Sequence, residues 1–342
     1  MKAMMLKKTS LFSENPSPLV MADCPDPVPE DHEILVHIGA CGVCHTEIDI
    51  IEGRTPPSSF PRIPGHQIVG KIEKTGRSIR KWKPGDRVGI GWIFSACGRC
   101  RFCQEGNENL CADFRATGRD HDGGYAEAMT VPEGFAVRIP DLFSDVQAAP
   151  LLCAGAIGYR SLRLSLLKDG ECLGLFGFGA SAHLVMKMTK HLFPDSPMYV
   201  FARSETERRF AAELGAVWTG VSGEEPPRKL RSVIDTTPVW KPVLDALKVL
   251  EPGGRLVVNA IRKEDSDRDQ WLRIDYPSHL WMEKEIKSVA NVARRDLEEF
   301  LALAADIPIL PDVEVYGLEQ ANQALLELKA GRIRGAKVLK MG

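Results

Sequence analysis

Four cysteines crowd into one stretch of the chain, Cys97-x2-Cys100-x2-Cys103-x7-Cys111. Four thiolates at that spacing suit a closed tetrahedral zinc site with no position left open for chemistry. An iron–sulfur cluster is the alternative, since some ferredoxin motifs also begin Cys-x2-Cys-x2-Cys. The chain has 9 cysteines, an odd number, and Met1 to Leu11 lacks the apolar block of a signal peptide. Metal ligation therefore ranks above a disulfide framework. A second chemical signature is Gly177-x-Gly179-x-x-Ala182. The first glycine permits a tight turn, the second admits a pyrophosphate against the backbone, and the small Ala182 lets helix and strand pack. Free N–H groups at the helix start would face the phosphates. No acid closes the next strand; Ala202-Arg203-Ser204 stands there instead. A cation and a hydroxyl suit a ribose 2′-phosphate, so NADP(H) is favoured over NAD(H). The alternative is a solvated Arg203 and a site that accepts NAD(H).

The elements that must position these groups differ between the two parts of the chain. Residues 1 to about 140 read as β-rich, with short runs such as Glu33 to Ile38 and Arg87 to Ile90 bounded by Gly, Pro and Asp. Pro25, Pro27 and Pro29 exclude helix at the first bend, and Pro84-Gly85-Asp86 predicts a tight turn. After about residue 145 the rhythm becomes strand, helix, strand. Glu171 to Phe176 and Met198 to Ala202 read as strands, and Ala180 to His191 as a helix. Ser204 to Leu214 reads as a second helix, opened by a capping box of Ser204 with Glu207. Ser232 to Asp235 and Arg255 to Ala260 continue the alternation. That pattern predicts an α/β chain with a parallel, doubly wound sheet. The last segment predicts a helix over Leu318 to Lys329 and a strand over Ala336 to Lys340, and the polar run Lys263 to Gln270 reads as a solvated turn.

Bulk composition limits the function classes. A length of 342 residues implies about two domains, and 44% hydrophobic residues are enough for two cores. A net charge of -2 offers no basic excess for nucleic acid or anionic lipid. The most apolar stretch, Leu173 to Met188, is broken by Gly174, Gly177, Gly179 and His183, so no membrane span is expected. A cytoplasmic protein is the expectation.

Several motifs, in order along the chain, resemble those of the zinc-dependent medium-chain alcohol dehydrogenases. Ala40-Cys-Gly-Val-Cys44-His45-Thr46-Glu47 is similar to their catalytic loop, and Pro64-Gly65-His66 to their second ligand motif. Lys83 to Val88, the four-cysteine stretch, Asp122 to Glu127 and Pro150-Leu-Leu-Cys153-Ala-Gly155 match as well. The resemblance implies a GroES-like β-rich catalytic domain over residues 1–150, completed by 290–342, with a Rossmann dinucleotide-binding domain over 151–289. It implies that Cys44, His66 and Cys153 hold a catalytic zinc. Dispersed as they are, these three have no local spacing that would select them, although two cysteines and one histidine fit an open catalytic site. With the four-cysteine site this makes two zinc ions per subunit. The resemblance further implies that Thr46 bonds the substrate oxygen and passes its proton outward, that His45 neighbours the cofactor pyrophosphate, and that Trp92 narrows the substrate pocket. Zinc would act as a Lewis acid on the alcohol or carbonyl oxygen while hydride passes between carbinol carbon and nicotinamide.

Four positions depart from the family pattern. Glu47 stands where an Asp usually orients the histidine ligand, and Gln67 replaces a Glu beside His66. Glu52 falls where many microbial members have a relay histidine, so proton exit is open between Glu52, His45 and water. Ile157 replaces a common Thr near the nicotinamide. The expected activity is an alcohol dehydrogenase or aldehyde reductase for small primary alcohols or their aldehydes. Rival readings are a reductase for a sugar alcohol, a cinnamyl-type alcohol or another carbonyl, and a zinc-stabilised binding protein that lost catalysis. A homodimer or homotetramer is expected, without nucleic-acid or membrane partners. Arg294-Arg295 could reach cofactor phosphate, but paired arginines at a helix start are commonly solvated.

Overall fold

The computed structural model describes residues 1–307, 309–331 and 335–342. The chain divides into two compact units, Met1–Cys153 with Val292–Gly342, and Ala154–Asn291.

In the first unit the turn-punctuated sequence forms mostly antiparallel β-structure, with Val313–Gly317 and Ala336–Lys340 paired parallel. Its central strand, Glu33–Gly42, is buried at almost every position and pairs antiparallel with Ile68–Thr75, Ala128–Pro132 and Ala336–Lys340. Along the main path of the sheet the order is Val313–Gly317, Ala336–Lys340, Glu33–Gly42, Ile68–Thr75, Arg87–Ile90, Ala136–Arg138. The C-terminal strand thus completes a sheet begun by the N-terminal residues, which is why this unit is discontinuous in sequence. The turn predicted at Pro84-Gly85-Asp86 is formed: Asp86 N–H donates to Lys83 O at 3.1 Å, with Gly85 at φ +89. Proline sets the first central residue, and only glycine takes the positive φ of the second without strain. The core of this unit gathers Ile34, Val36, Ile38, Ile68, Val88 and Tyr125, among others.

The second unit holds a sheet of 6 strands, all parallel. Their order is Trp218–Gly220, Met198–Phe201, Leu173–Phe176, Leu230–Asp235, Leu250–Val258, Glu285–Ser288. This is the doubly wound Rossmann arrangement, with its switch point between Leu173–Phe176 and Leu230–Asp235. Every residue of Leu173–Phe176 and of Met198–Phe201 is buried, as parallel strands covered on both faces require. The helix Ala180–Leu192 follows the first of these strands, and Glu205–Glu213 follows the second with Ser204 as its N-cap.

Two expectations need correction. The segment predicted as one helix over Leu318 to Lys329 opens as a 3-10 turn, Leu318–Gln320, before the α-helix Ala321–Lys329. The run Lys263 to Gln270 is not merely a solvated turn. Lys263 is buried in an ion pair with Asp235, and the Asp267 carboxylate accepts from Trp240 N–H and Lys241 N–H at 2.9 and 2.8 Å. Those N–H groups open the helix Lys241–Val249, so the polar run caps a helix. Among the described residues no helix is long and apolar enough to cross a membrane.

Candidate active site

Three separate chain segments converge in the first unit. The central strand ends by tying Gly42 N–H to Gln67 O and Val43 N–H to Lys337 O, each at 2.9 Å. The chain then turns into the helix His45–Ile51, whose N-cap is Cys44. Glu47, wholly buried in that helix, accepts Cys44 N–H at 2.9 Å with one carboxylate oxygen. Its other oxygen lies 2.5 Å from His66 Nδ1. One carboxylate therefore caps the helix and orients the imidazole, so the extra methylene of Glu47 reaches. Cys153 arrives on the π-helical turn Leu151–Gly155, a widened turn of the kind that clusters at functional sites.

The ligand atoms of Cys44, His66 and Cys153 all lie within 4.8 Å of one another. Cys44 Sγ and Cys153 Sγ are 4.0 Å apart. Thiolates ~2.3 Å from a tetrahedral metal stand ~3.8 Å from each other, close to that spacing. His66 is fully buried, and its Nε2 has no hydrogen-bond partner. A buried ring nitrogen is costly to leave unpaired, and a metal ion is a natural partner for it. The electrostatics agree. Burial lowers the His66 pKa, but the Glu47 carboxylate and the Cys44 thiolate outweigh it and raise His66 to about 10. The bond from Cys153 holds Cys44 well below the usual thiol range against its burial, while Cys153 itself is pushed up. The imidazole and the two thiols thus share protons as one coupled set, and a bound metal would displace those protons.

Around the trio, Thr46 is buried with Oγ1 3.6 Å from Cys44 Sγ, and His45 is exposed. Trp92 is buried edge-on to His66, ring centroids 5.1 Å apart at 85°. Gln67 is buried beside His66. Glu52 is held in a cluster of its own: it pairs with Lys329 and, at 2.5 Å, with Arg54, and accepts Phe12 N–H at 3.0 Å. Burial pushes its carboxyl up, but Lys329, Phe12 N–H and Arg54 together hold it below the usual carboxylate range. A carboxylate so engaged is poorly placed to exchange protons.

The four-cysteine set also closes. Cys97 Sγ and Cys100 Sγ lie 3.9 and 3.6 Å from Cys103 Sγ, and Cys111 Sγ belongs to the same group. Backbone N–H groups of Arg99 and Cys100 lower the Cys97 thiol to about 6, and burial pushes Cys103 up to about 12. Arg294 and Arg295 are not merely solvated: both are tied by hydrogen bonds, although the Arg294 side chain stays 40% exposed. Arg294 Nε donates to Glu108 Oε1 at 2.7 Å and its Nη1 to Gly134 O at 2.9 Å, and Arg295 Nη2 donates to Asn107 Oδ1 at 3.1 Å. Both arginines fasten the cysteine lobe to the helix Arg294–Asp306.

In the second unit, Gly177 takes φ +81, and a Cβ there would stand 2.7 Å from Thr236 Oγ1. Gly179 is the N-cap of Ala180–Leu192, and a Cβ there would meet nothing within 4 Å. Open space over a helix N-terminus is what a bound phosphate needs. Ala182 is fully buried. Arg203 and Ser204 stand exposed at the end of Met198–Phe201, with Ser204 Oγ accepting Glu207 N–H at 3.5 Å. The sequence reading missed Arg208, whose Nη1 donates to Ala202 O and Arg203 O at 2.8 Å each and fixes that strand end. Its only signal was its place one turn into the helix after the strand.

Residues 30–141 match the alcohol dehydrogenase GroES-like domain. The chain is 40% identical over 344 residues to a probable alcohol dehydrogenase, AdhA, of Mycobacterium tuberculosis, covering 99% of this chain and 97% of that protein. It is 32% identical over 343 residues to an alcohol dehydrogenase of Geobacillus stearothermophilus, covering 98% and 99%. Among solved structures, a cinnamyl alcohol dehydrogenase of Sorghum bicolor matches with a TM-score of 0.85 at 25% identity, covering 99% of this chain and 97% of that one.

Proposed function

The chain belongs to the alcohol dehydrogenase family with a GroES-like domain, and on that premise we propose that it is a zinc-dependent, nicotinamide-using alcohol dehydrogenase or aldehyde reductase. The observation that carries this reading is the buried trio Cys44, His66 and Cys153, with Glu47 on Nδ1 and Nε2 left unpaired. Zinc held by these three residues would supply a Lewis acid to the alcohol or carbonyl oxygen. Nicotinamide dinucleotide on the Gly177 turn would supply the hydride acceptor or donor. The protein's own part is positional. Glu47 holds the imidazole, the two thiolates temper the metal charge, and Thr46 places a hydroxyl beside Cys44 to bond the substrate oxygen and move its proton. Buried Trp92 against His66 keeps water away and favours a modest, apolar substrate. The four-cysteine lobe would hold a second, structural zinc.

Arg203 and Ser204, side by side at the strand end with Ala202 rather than a carboxylate before them, favour NADP(H). The test follows nicotinamide absorbance while the protein reduces a panel of small aliphatic, cinnamyl-type and sugar aldehydes, before and after metal removal. Zinc-dependent turnover should run faster with NADPH than with NADH, and Arg203→Asp should lose that preference. Turnover that survives complete removal of zinc would sink the metal reading, and equal rates with NADH would sink the cofactor preference.

A homo-oligomer formed through the second unit belongs to the same proposal. The edge strand Glu285–Ser288 is exposed at all four residues, and Leu272 is 88% and Trp281 54% exposed nearby in sequence. The strand's own Ile286 is 42% exposed, and an open edge carrying an apolar side chain favours pairing with a second copy. Sedimentation should show a dimer or tetramer that Ile286→Lys weakens, and a monomer at micromolar concentration would rule the assembly out.

A further inference from the structure

We infer that the buried pair Lys263–Asp235 is a positioning element of the dinucleotide site, holding Thr236–Val239 against the glycine turn. The inference rests on the dinucleotide reading of that turn. Asp235 is the last residue of Leu230–Asp235 and lies in register with Phe176, the residue before Gly177. These two strands flank the switch point, where doubly wound sheets bind their ligands beyond the carboxyl ends of the strands. The segment that leaves Asp235 runs against the turn: the Cβ position of Gly177 is 2.7 Å from Thr236 Oγ1 and 3.2 Å from Thr237 Cγ2.

What holds that segment is charge. The side chain of Asp235 is 0% exposed and that of Lys263 5%. Lys263 Nζ bonds the Asp235 carboxylate, Thr237 O at 2.7 Å and Val239 O at 3.0 Å. Asp235 Oδ1 in turn accepts Thr237 N–H at 3.0 Å and Thr237 Oγ1–H at 2.7 Å. An ammonium has three donors, and all three are spent on this segment. Lys263 therefore has no donor left for a ligand and acts only through the backbone it fixes. Just beyond, Glu264 N–H donates to Pro238 O at 2.7 Å and Asp267 caps Trp240 and Lys241, so the same loop clamps the segment at both ends. A buried ion pair is a poor stabiliser compared with apolar residues of the same shape, so its use at this place points to geometry.

The experiment titrates the full-length protein with NADPH and NADH by calorimetry, and measures amide exchange over residues 236–240 with and without NADPH. In the wild type, NADPH should slow exchange of that segment. Lys263→Met alone leaves a buried carboxylate unpaired and can unfold the unit, so the neutral pair Lys263→Met with Asp235→Asn is made beside it. Both variants should bind NADPH on the order of tenfold more weakly. They should exchange 236–240 faster and raise the KM for cofactor, while the KM for aldehyde and the zinc content stay unchanged. Wild-type affinity in the neutral pair overturns the inference, and so does a wild-type segment whose exchange NADPH does not slow. A wild type that binds neither nucleotide removes the dinucleotide reading itself, a result distinct from either.

Discussion

A Cys153→Ala chain is expected to purify with one zinc ion in place of two and to reduce aldehydes about 10³-fold more slowly. Polarisation of the substrate oxygen by a bound metal contributes several kcal/mol to the barrier, and ~4 kcal/mol corresponds to about three decades in rate. Cys153 is the cleanest ligand to remove. It sits on the π-helical turn, and its side-chain contact among the described residues is with Cys44, at 4.0 Å. Truncating His66 would instead strip the buried Glu47 carboxylate of its ring partner and add the cost of an unpaired charge. Glu47→Gln supplies the graded control. It keeps the shape of the side chain and weakens its hold on His66 Nδ1, so zinc affinity should fall about 10–100-fold without abolishing turnover. Zinc counts by plasma emission and rates on the same preparations decide the matter. A Cys153→Ala chain that keeps two zinc ions and turns over within about twofold of wild type would remove Cys153 from the metal centre.

How much of this was legible in the chain depended on whether a group's partner is local. The four-cysteine stretch and the glycine turn are each contiguous, and both stand in the structure where their spacing places them. The trio is different: Cys44 and Cys153 lie 109 residues apart, and only resemblance to a family joined them. In sequence Lys263 reads as solvated because every residue from Glu264 to Gln270 is polar. Its partner, Asp235, stands 28 residues earlier at the end of a buried strand. A carboxylate closing an apolar strand is itself a signal that a cation must arrive from elsewhere. Arg294 misled for the same reason, since Glu108 lies 186 residues away. The closing strand Ala336–Lys340 was readable as a strand, yet nothing in its five residues says that it pairs with Glu33–Gly42.

Removing a buried ligand from the cysteine lobe should cost stability rather than chemistry. The lobe has little regular structure of its own, a four-residue helix Arg101–Gln104 and the 3-10 turn Glu108–Leu110. A segment so poor in elements cannot bury enough surface to hold itself, and structural zinc in small domains supplies ~10 kcal/mol or more of folding free energy. Cys103→Ala is therefore expected to lower the zinc count by one and the melting temperature by about 10 °C, equivalent to roughly 4 kcal/mol in a folding unit of about 200 residues. The loss should spread along a definite route. When the lobe loosens, Glu108 and Asn107 release Arg294 and Arg295, the first two residues of Arg294–Asp306. Leu297 in that helix packs on Gly91, beside the tryptophan that meets His66 edge-on. Amide exchange should accordingly rise in residues 97–111 and at the start of that helix, while the strand Leu173–Phe176 keeps its protection. Calorimetry and metal analysis on the same sample separate the outcomes. An unchanged zinc count with an unchanged melting temperature would deny the lobe its metal, and a brown protein containing iron would replace zinc there with a cluster.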